Sequence, residues 1–260
     1  MQPAYAQNKT DASPYSVDLT PDKTSNKTTT PTTPIKYKID PSLKASFTIT
    51  YILLLTTGTI TFIEALRTSD PTIRHVMNLE TVISIIAGYF YSLFTDRIAK
   101  AEEGLIPPIQ WNEINQTRYI DWCITTPIML TVICMVMAKG LHTDVHFSLW
   151  LTILVLNYIM LGIGYAGEVN MIHKGWADVL GFVPFVGIFA ILYMTYIRPK
   201  YVFSNYLIYG LYVVAWSMYG IVYMLDDIHK NIVYNMLDLV SKCFVGIGLW
   251  AMFTRIIRKY

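Results

Sequence analysis

Seven long apolar stretches alternate along the chain with short polar or helix-breaking segments. A helix that crosses a bilayer needs about 20 mostly apolar residues, and each stretch is long enough to supply them. The predicted spans are residues 46–66, 76–97, 117–138, 147–167, 176–197, 203–225 and 232–254. The pattern therefore predicts an all-α, multi-pass integral membrane protein, with a seven-helix bundle in residues 45–260.

The first 44 residues have a different composition from the rest of the chain. They are rich in Thr, Ser, Pro, Asn and Lys, and they contain no early apolar run behind a basic start. Such a segment has too little apolar surface to offset the entropy lost on ordering. We therefore predict that residues 1–44 form a disordered polar tail, and we do not expect this tail to be a signal peptide.

Composition narrows the range of partners. The chain is 53% hydrophobic and 15% charged, with a formal net charge of +2, and it has no basic cluster interleaved with aromatic residues. Nucleic acid is therefore not an expected partner, whereas membrane lipid is. The 3 cysteines lack the spacing of a metal site. We expect neither a bound metal nor enzymatic activity, and the sequence leaves open whether the chain forms homo-oligomers.

The distribution of Lys and Arg predicts how the bundle lies in the membrane. Seven spans put the termini on opposite sides, and 8 basic residues fall on the side of the C-terminus against 4 on the other. Because short cytoplasmic loops are enriched in Lys and Arg, the C-terminus is predicted to be cytoplasmic and the N-terminus outside. Lys36, Lys38 and Lys44, just before the first span, oppose this orientation.

Four ionisable residues lie well inside the predicted spans: Arg118 and Asp121 in the third, and Asp238 and Lys242 in the seventh. Charges at membrane depth are costly and therefore mark functional sites. Spacings of three and four residues put each pair on one helical face, and the rise of 1.5 Å per residue puts the two aspartates at similar depth. The cluster is either a structural ion-pair network or a site where a buried lysine forms a charged imine.

Three motifs resemble those of microbial (type I) rhodopsins. The run Arg118–Pro127 is similar to their third-helix motif, Asp238–Lys242 to their retinal-lysine motif, and Trp216–Tyr219 to the sixth-helix aromatic residues beside the chromophore. The resemblance covers residues 46–254. Within this family, the segment Asn78–Ala87 is most similar to the corresponding segment of the rhodopsins of large algal viruses.

The resemblance implies a role for each buried charge. Lys242 would carry all-trans retinal as a protonated Schiff base, Asp121 would be the primary counterion and proton acceptor, and Asp238 the second counterion. Arg118 would lie on the extracellular side and keep both carboxylates ionised. Thr125, one turn after Asp121, would bond either to its carboxylate or to the backbone of its own helix.

The resemblance also implies a retinal pocket. The matching residues are Trp122, Thr126, Met160, Gly164, Trp216 and Tyr219. Gly220 stands where many relatives have proline. Val132 stands where proton pumps usually have a carboxylic acid that returns a proton to the Schiff base.

Acidic residues occur elsewhere in the spans. Glu80, Ser84, Ala87 and Tyr91 share one face of the second helix, and Glu64 is near the inner end of the first. Glu80, Ser84 and Glu64 are candidates for an ion path or gate, although Glu80 is equally compatible with an interhelical hydrogen bond. A further acid, Asp178 in the fifth span, is expected at the membrane interface.

Three functions are compatible with these residues. They are a light-gated cation channel, a light-driven outward proton pump, and a photosensor that acts through a separate transducer. A pump needs proton relays on both sides of the Schiff base, whereas a channel needs a hydrated, acid-lined path and a gate. Val132 and Glu80 favour the channel.

Overall fold

The computed structural model describes residues 16–17 and 37–254, which contain seven apolar helices long enough to cross a membrane. These are α1 (Pro41–Arg67), α2 (Pro71–Glu102), α3 (Trp111–Leu141), α4 (Phe147–Glu168), α5 (Lys174–Ile197), α6 (Phe203–Tyr223) and α7 (Asp227–Phe253). Two short strands, β1 (Ser16–Val17) and β2 (Tyr37–Lys38), pair antiparallel. The predicted seven-helix architecture is confirmed. Several helices extend beyond the predicted spans because hydropathy marks the bilayer core rather than the helix end.

The first helix begins earlier than the predicted boundary after residue 44. Asp40 caps α1, since its carboxylate accepts hydrogen bonds of 2.8 and 3.0 Å from two backbone N–H groups of the first turn. Pro41 occupies the first helical position, where a missing N–H costs nothing. Residues 1–15 and 18–36 lie outside the described residues, so disorder there stays a prediction.

The helices pack as a bundle with two ends. Neighbouring pairs are in contact from α1–α2 through to α6–α7, and α7 also packs against α1 and α3. The N-terminal end of the bundle holds the start of α1 and the α2–α3, α4–α5 and α6–α7 connections. The C-terminal end holds the other three connections and the end of α7. Which end faces the cytoplasm stays a prediction from the charge distribution.

The distribution of exposed and buried side chains is typical of a helix bundle surrounded by lipid. Many large apolar side chains point outward, among them Ile52, Leu66 and Val183, which are more than half exposed on the protein alone. The interior is apolar near the C-terminal end, where α2, α3, α5 and α6 meet. Polar and charged side chains are buried instead along α3 and α7. The inward faces of these two helices therefore carry the four ionisable residues that the sequence singled out, Arg118, Asp121, Asp238 and Lys242.

Helix α7 changes its winding at the candidate lysine. Residues Leu239–Phe244 form a π-helical segment between two α-helical segments, and this segment contains Lys242. π-helical turns often occur at functional sites because they re-aim side chains within a helix. Lys242 and Asp238 both point into the bundle, with relative exposures of 2% and 0%.

An ion pair joins the start of α2 to the end of α3. Asp70 caps α2 by accepting hydrogen bonds from the backbone of Thr72 and Ile73, at 2.9 and 3.0 Å. Its second oxygen accepts a hydrogen bond of 2.7 Å from Nζ of Lys139 at the end of α3. This hydrogen bond from Lys139 lowers the pKa of Asp70 below its ordinary value, and the bonds from the backbone act in the same direction.

We expect Asp70→Ala to lower the free energy of unfolding by about 1 kcal/mol, the usual cost of losing an N-cap. Asp70→Asn keeps a capping oxygen and loses only the charge, so it should cost less. Because the pKa of Asp70 is lowered by folding, its ionic contribution is present at neutral pH and is lost as the pH falls through the folded-state pKa. Thermal unfolding in detergent at neutral and acidic pH measures both effects. Equal losses in the two variants would assign the stability to the ion pair and not to the cap.

Candidate functional site

The lysine in the middle of α7 contacts two carboxylates. Nζ of Lys242 lies 2.7 Å from Oδ2 of Asp121 on α3 and 3.3 Å from Oδ1 of Asp238 on its own helix. All three side chains are buried. The two aspartates thus lie at the same level of the bundle, as predicted from the sequence, and one buried cation is directly balanced by carboxylates from two helices.

The two carboxylates have different surroundings. Asp238 accepts hydrogen bonds from the hydroxyls of Tyr91 at 2.8 Å and Tyr219 at 2.6 Å, and Nη1 of Arg118 lies 3.8 Å away. In contrast, Oδ1 of Asp121 has no hydrogen-bond partner among the described residues. The negative charge of Asp238 is therefore shared among several groups, whereas that of Asp121 is available mainly to the lysine.

The threonines that follow Asp121 bond to their own helix. Oγ1 of Thr125 donates to the backbone carbonyl of Asp121 at 2.9 Å, which is one of the two alternatives left open by the sequence. Thr126 donates to the carbonyl of Trp122 at 2.7 Å and accepts a hydrogen bond of 2.9 Å from Asn157 on α4. Thr125 therefore bonds to the backbone of Asp121 and not to its carboxylate.

The guanidinium of Arg118 is stabilised by neutral groups as well as by the nearby carboxylate of Asp238. Its guanidinium donates to Oδ1 of Asn231 at 3.0 and 3.1 Å, and also to Oδ1 of Asn235. It lies 5.2 to 5.8 Å from the ring centroids of Phe47, Tyr91, Phe94 and Tyr234. Amide acceptors and aromatic faces both stabilise a desolvated guanidinium. Neither asparagine was predicted as a site residue from the sequence, although their spacing of four places them on one face of α7.

A second buried charged cluster lies nearer the N-terminal end. Nζ of Lys230 is 3.3 Å from Oε1 of Glu168 and 3.2 Å from Oδ1 of Asp227. Asn115 donates to both carboxylates, at 3.0 and 2.9 Å, and accepts a hydrogen bond from Asn231. Lys230 is one of the 4 basic residues that the charge distribution assigns to the connections on the N-terminal side, but its side chain is fully buried. Periodicity could not reveal this because the members of the cluster come from three helices, α3, α4 and α7.

A cavity begins at Lys242 and extends between α3, α4, α5 and α6. It encloses about 810 Å³, counting the space at its mouth. All six residues predicted for the pocket line it, together with others that the sequence did not indicate. The lining includes Trp122, Thr126, Met129, Met160, Gly164, Asp178, Phe182, Phe185, Trp216, Tyr219, Asp238 and Lys242. Asp178, which is expected at the membrane interface, also forms part of the cavity wall.

The cavity suits a hydrocarbon chain linked to the lysine. Its wall is mostly aromatic and aliphatic, whereas the end at Lys242 carries the carboxylate of Asp238. A side chain at Gly164 would come within 2.9 Å of the Tyr119 hydroxyl, and one at Gly220 within 2.7 Å of the Phe182 ring. The glycine that replaces the usual proline therefore allows an aromatic ring from α5 to form part of the wall.

The predicted polar face of α2 is also buried. Glu80 and Ser84 are at most 1% exposed, and neither Oε1 of Glu80 nor Oγ of Ser84 has a hydrogen-bond partner among the described residues. A side chain at Gly246 of α7 would come within 3.0 Å of Oε2 of Glu80 and 2.9 Å of Thr57 on α1. Glu80 therefore lies where α1, α2 and α7 meet, and it makes no interhelical hydrogen bond within the part of the chain that the structure describes. Glu64 is buried further along α1.

Together these features define a class of protein: a seven-helix membrane protein with a buried, carboxylate-paired lysine at one end of an apolar cavity. Residues 42–256 match the family model described as bacteriorhodopsin-like protein. The chain belongs to this family, whose members bind retinal.

Individual relatives agree with the family assignment. The crystal structure of viral rhodopsin OLPVRII is 45% identical, with a TM-score of 0.76, and the match covers 83% of this chain and 99% of that one. Bacteriorhodopsin of Halobacterium salinarum is 23% identical over 235 residues, or 78% of this chain and 80% of that protein. Green-light absorbing proteorhodopsin of a gamma-proteobacterium is 26% identical over 51% of this chain. The match spans 59% of the length of that proteorhodopsin.

The unequal surroundings of the two carboxylates predict unequal effects of neutralising them. With retinal bound, Asp121→Asn should shift the visible band to the red while the Lys242 nitrogen keeps its proton, and should let that proton dissociate at lower pH. Asp238→Asn should cause a smaller red shift and a smaller decrease in the pH at which the proton dissociates, because Tyr91, Tyr219 and Arg118 already share the Asp238 charge. Absorption spectra recorded across a pH titration measure both. An unchanged spectrum and titration in Asp121→Asn would transfer the counterion role to Asp238.

Proposed function

We propose that this protein is a retinal-binding photoreceptor that moves ions across a membrane on illumination, with its N-terminus outside and its C-terminus in the cytoplasm. All-trans retinal, linked to Nζ of Lys242, would supply light absorption and a change of shape. The proposal is supported by the apolar cavity that ends at Lys242, because Nζ of this lysine contacts the carboxylates of Asp121 and Asp238.

The residues around Lys242 would have different roles in binding and transferring a proton. Asp121 would accept the proton of the Lys242 nitrogen on illumination, since its Oδ2 is the nearer carboxylate oxygen. Asp238 would remain an anion, because two tyrosine hydroxyls and Arg118 stabilise its charge. Arg118 would keep a positive charge on the N-terminal side of the pair.

The finer proposal is a light-gated cation channel, and the observation that carries it is the unpartnered oxygen of Glu80. Buried polar groups without a protein partner are usually satisfied by water. Glu80 and Ser84 would thus line a hydrated path, and an acid in that path favours cations. Tyr91, on the same face of α2, bonds to Asp238 and so connects this path to the retinal site. Glu64 would line its C-terminal part.

The path must open for ions to pass. Val76, Met77, Val132 and Ile133 are at most 1% exposed and belong to the apolar cluster nearer the C-terminal end. This dry layer would be the closed gate. Val132 also cannot donate a proton, so the Lys242 nitrogen would recover its proton slowly, which suits a long-lived conducting state.

An outward proton pump is the second candidate, and Glu80 also favours it. A buried carboxylic acid without a protein partner could donate a proton to the Lys242 nitrogen in place of the acid missing at Val132. Both candidates use the same residues. They differ in whether the ion flow follows the electrochemical gradient.

The photocurrent separates the two candidates. We expect the current to reverse sign with voltage, at a potential that follows the gradients of permeant cations, because an open pore only passes ions down their gradient. Current–voltage recording under illumination measures this. An outward current of constant sign at all accessible voltages, with light-driven acidification outside cells that a protonophore abolishes, would establish the pump.

Substitution of Glu80 tests the path itself. Glu80→Gln removes the acid but keeps the shape, so it should change the current amplitude or the reversal potential. Glu103→Gln, at an exposed glutamate beyond α2, is the matched control and should change neither. Identical currents in Glu80→Gln and the unsubstituted protein would remove Glu80 from the path.

A further inference from the structure

We propose that the carboxylate of Asp178 determines the colour of the protein, by placing a negative charge at the end of the chromophore cavity remote from Lys242. This inference rests on the proposed function, because it concerns the retinal that Lys242 would carry. It assigns a role to an acid that is neither a counterion nor part of the proposed ion path.

The position of Asp178 is established by two contacts with the cavity. Its side chain forms part of the wall. Its Oδ1 would lie 3.3 Å from a side chain built at Gly220, the residue that follows the cavity-lining Tyr219. No hydrogen bond or ion pair joins Asp178 to another described residue. A charge in a spanning helix without a structural partner is a functional candidate.

The helix packing puts Asp178 and Lys242 on opposite sides of the cavity. Asp178 lies on α5, which packs against α4 and α6, whereas Lys242 lies on α7, which packs against α1, α3 and α6. The cavity spans the space between them, and its aromatic residues Phe182 and Phe185 are on the α5 side. A polyene attached to Lys242 would therefore extend toward Asp178.

Asp178 has surroundings that allow it to be ionised. It is half-buried and lies four residues after Lys174, near the start of α5, where the helix dipole favours anions. Lys174 lies 5.7 Å from the ring centroid of Tyr223, which also lines the cavity. The other titratable groups within electrostatic range of Asp178 include Tyr119 on α3, Tyr223 on α6 and Tyr234 on α7. Nζ of Lys174 also lies 3.7 Å from Oε2 of Glu168 at the end of α4.

A charge at this place changes the energy of light absorption. In the dark state of a protonated retinal linkage, the positive charge is concentrated near the nitrogen, and excitation moves part of it toward the ring. Asp121 and Asp238 stabilise the dark state, whereas a carboxylate at the far end stabilises the excited state. Asp178 therefore lowers the photon energy that the protein absorbs.

The test compares two variants of the full chain reconstituted with all-trans retinal. Asp178→Asn removes the charge at nearly constant shape and should shift the absorption maximum to shorter wavelength, on the order of 10 nm for one unit charge at this kind of distance. Asp178→Glu keeps the charge and should stay close to the unsubstituted protein. An unchanged maximum in Asp178→Asn, or equal shifts in the two variants, would overturn the proposal.

A second measurement reports the carboxylate directly. Infrared difference spectra, light minus dark, should contain a carboxylate band that is absent in Asp178→Asn and retained in Asp178→Glu. A protonated carboxyl band assigned to Asp178 in the dark would also overturn the proposal. The proposed function fails differently: no coloured protein would form in any variant, including the unsubstituted one.

Discussion

The structure depends on the balance of charge around Lys242. An unpaired ammonium or guanidinium in the interior of a membrane protein costs several kcal/mol, and losing one partner of a buried pair leaves that cost uncompensated. Here Lys242 and Arg118 are balanced by Asp121 and Asp238, and each carboxylate belongs to a different helix. The pairing therefore holds α3 against α7 at the depth where the cavity begins.

The rest of the interior is arranged around this balance. The polar side chains of α7 form a column from Lys230 through Asn231 and Asn235 to Asp238, and each contacts a group on another helix. On the other side, α4, α5 and α6 supply the apolar wall. A membrane protein can afford such a polar column only when its members satisfy one another. Several buried polar atoms have no partner among the described residues, and two of them, Oδ1 of Asp121 and Oε1 of Glu80, lie where the proposed function moves protons or ions.

Much of this could be predicted from the sequence because two signals are strong. Apolar stretches long enough to cross a bilayer gave the seven helices, and the rarity of membrane charges singled out Arg118, Asp121, Asp238 and Lys242. Contacts between distant segments could not be predicted. Lys230 looked like a loop residue because its partners on α4 and α7 are visible only in the fold. The true start of α1 depended on a local cap at Asp40, which hydropathy does not report.

The central claim is that Lys242 is the attachment point of the chromophore, and absorption spectroscopy tests it most directly. Lys242→Ala, purified with all-trans retinal, should have no visible band while its circular dichroism remains helical. Lys230→Arg is the control, because it removes the other fully buried primary amine among the described residues and keeps the charge. This variant should remain coloured. A visible band retained in Lys242→Ala, or lost in a folded Lys230→Arg variant, would contradict the account.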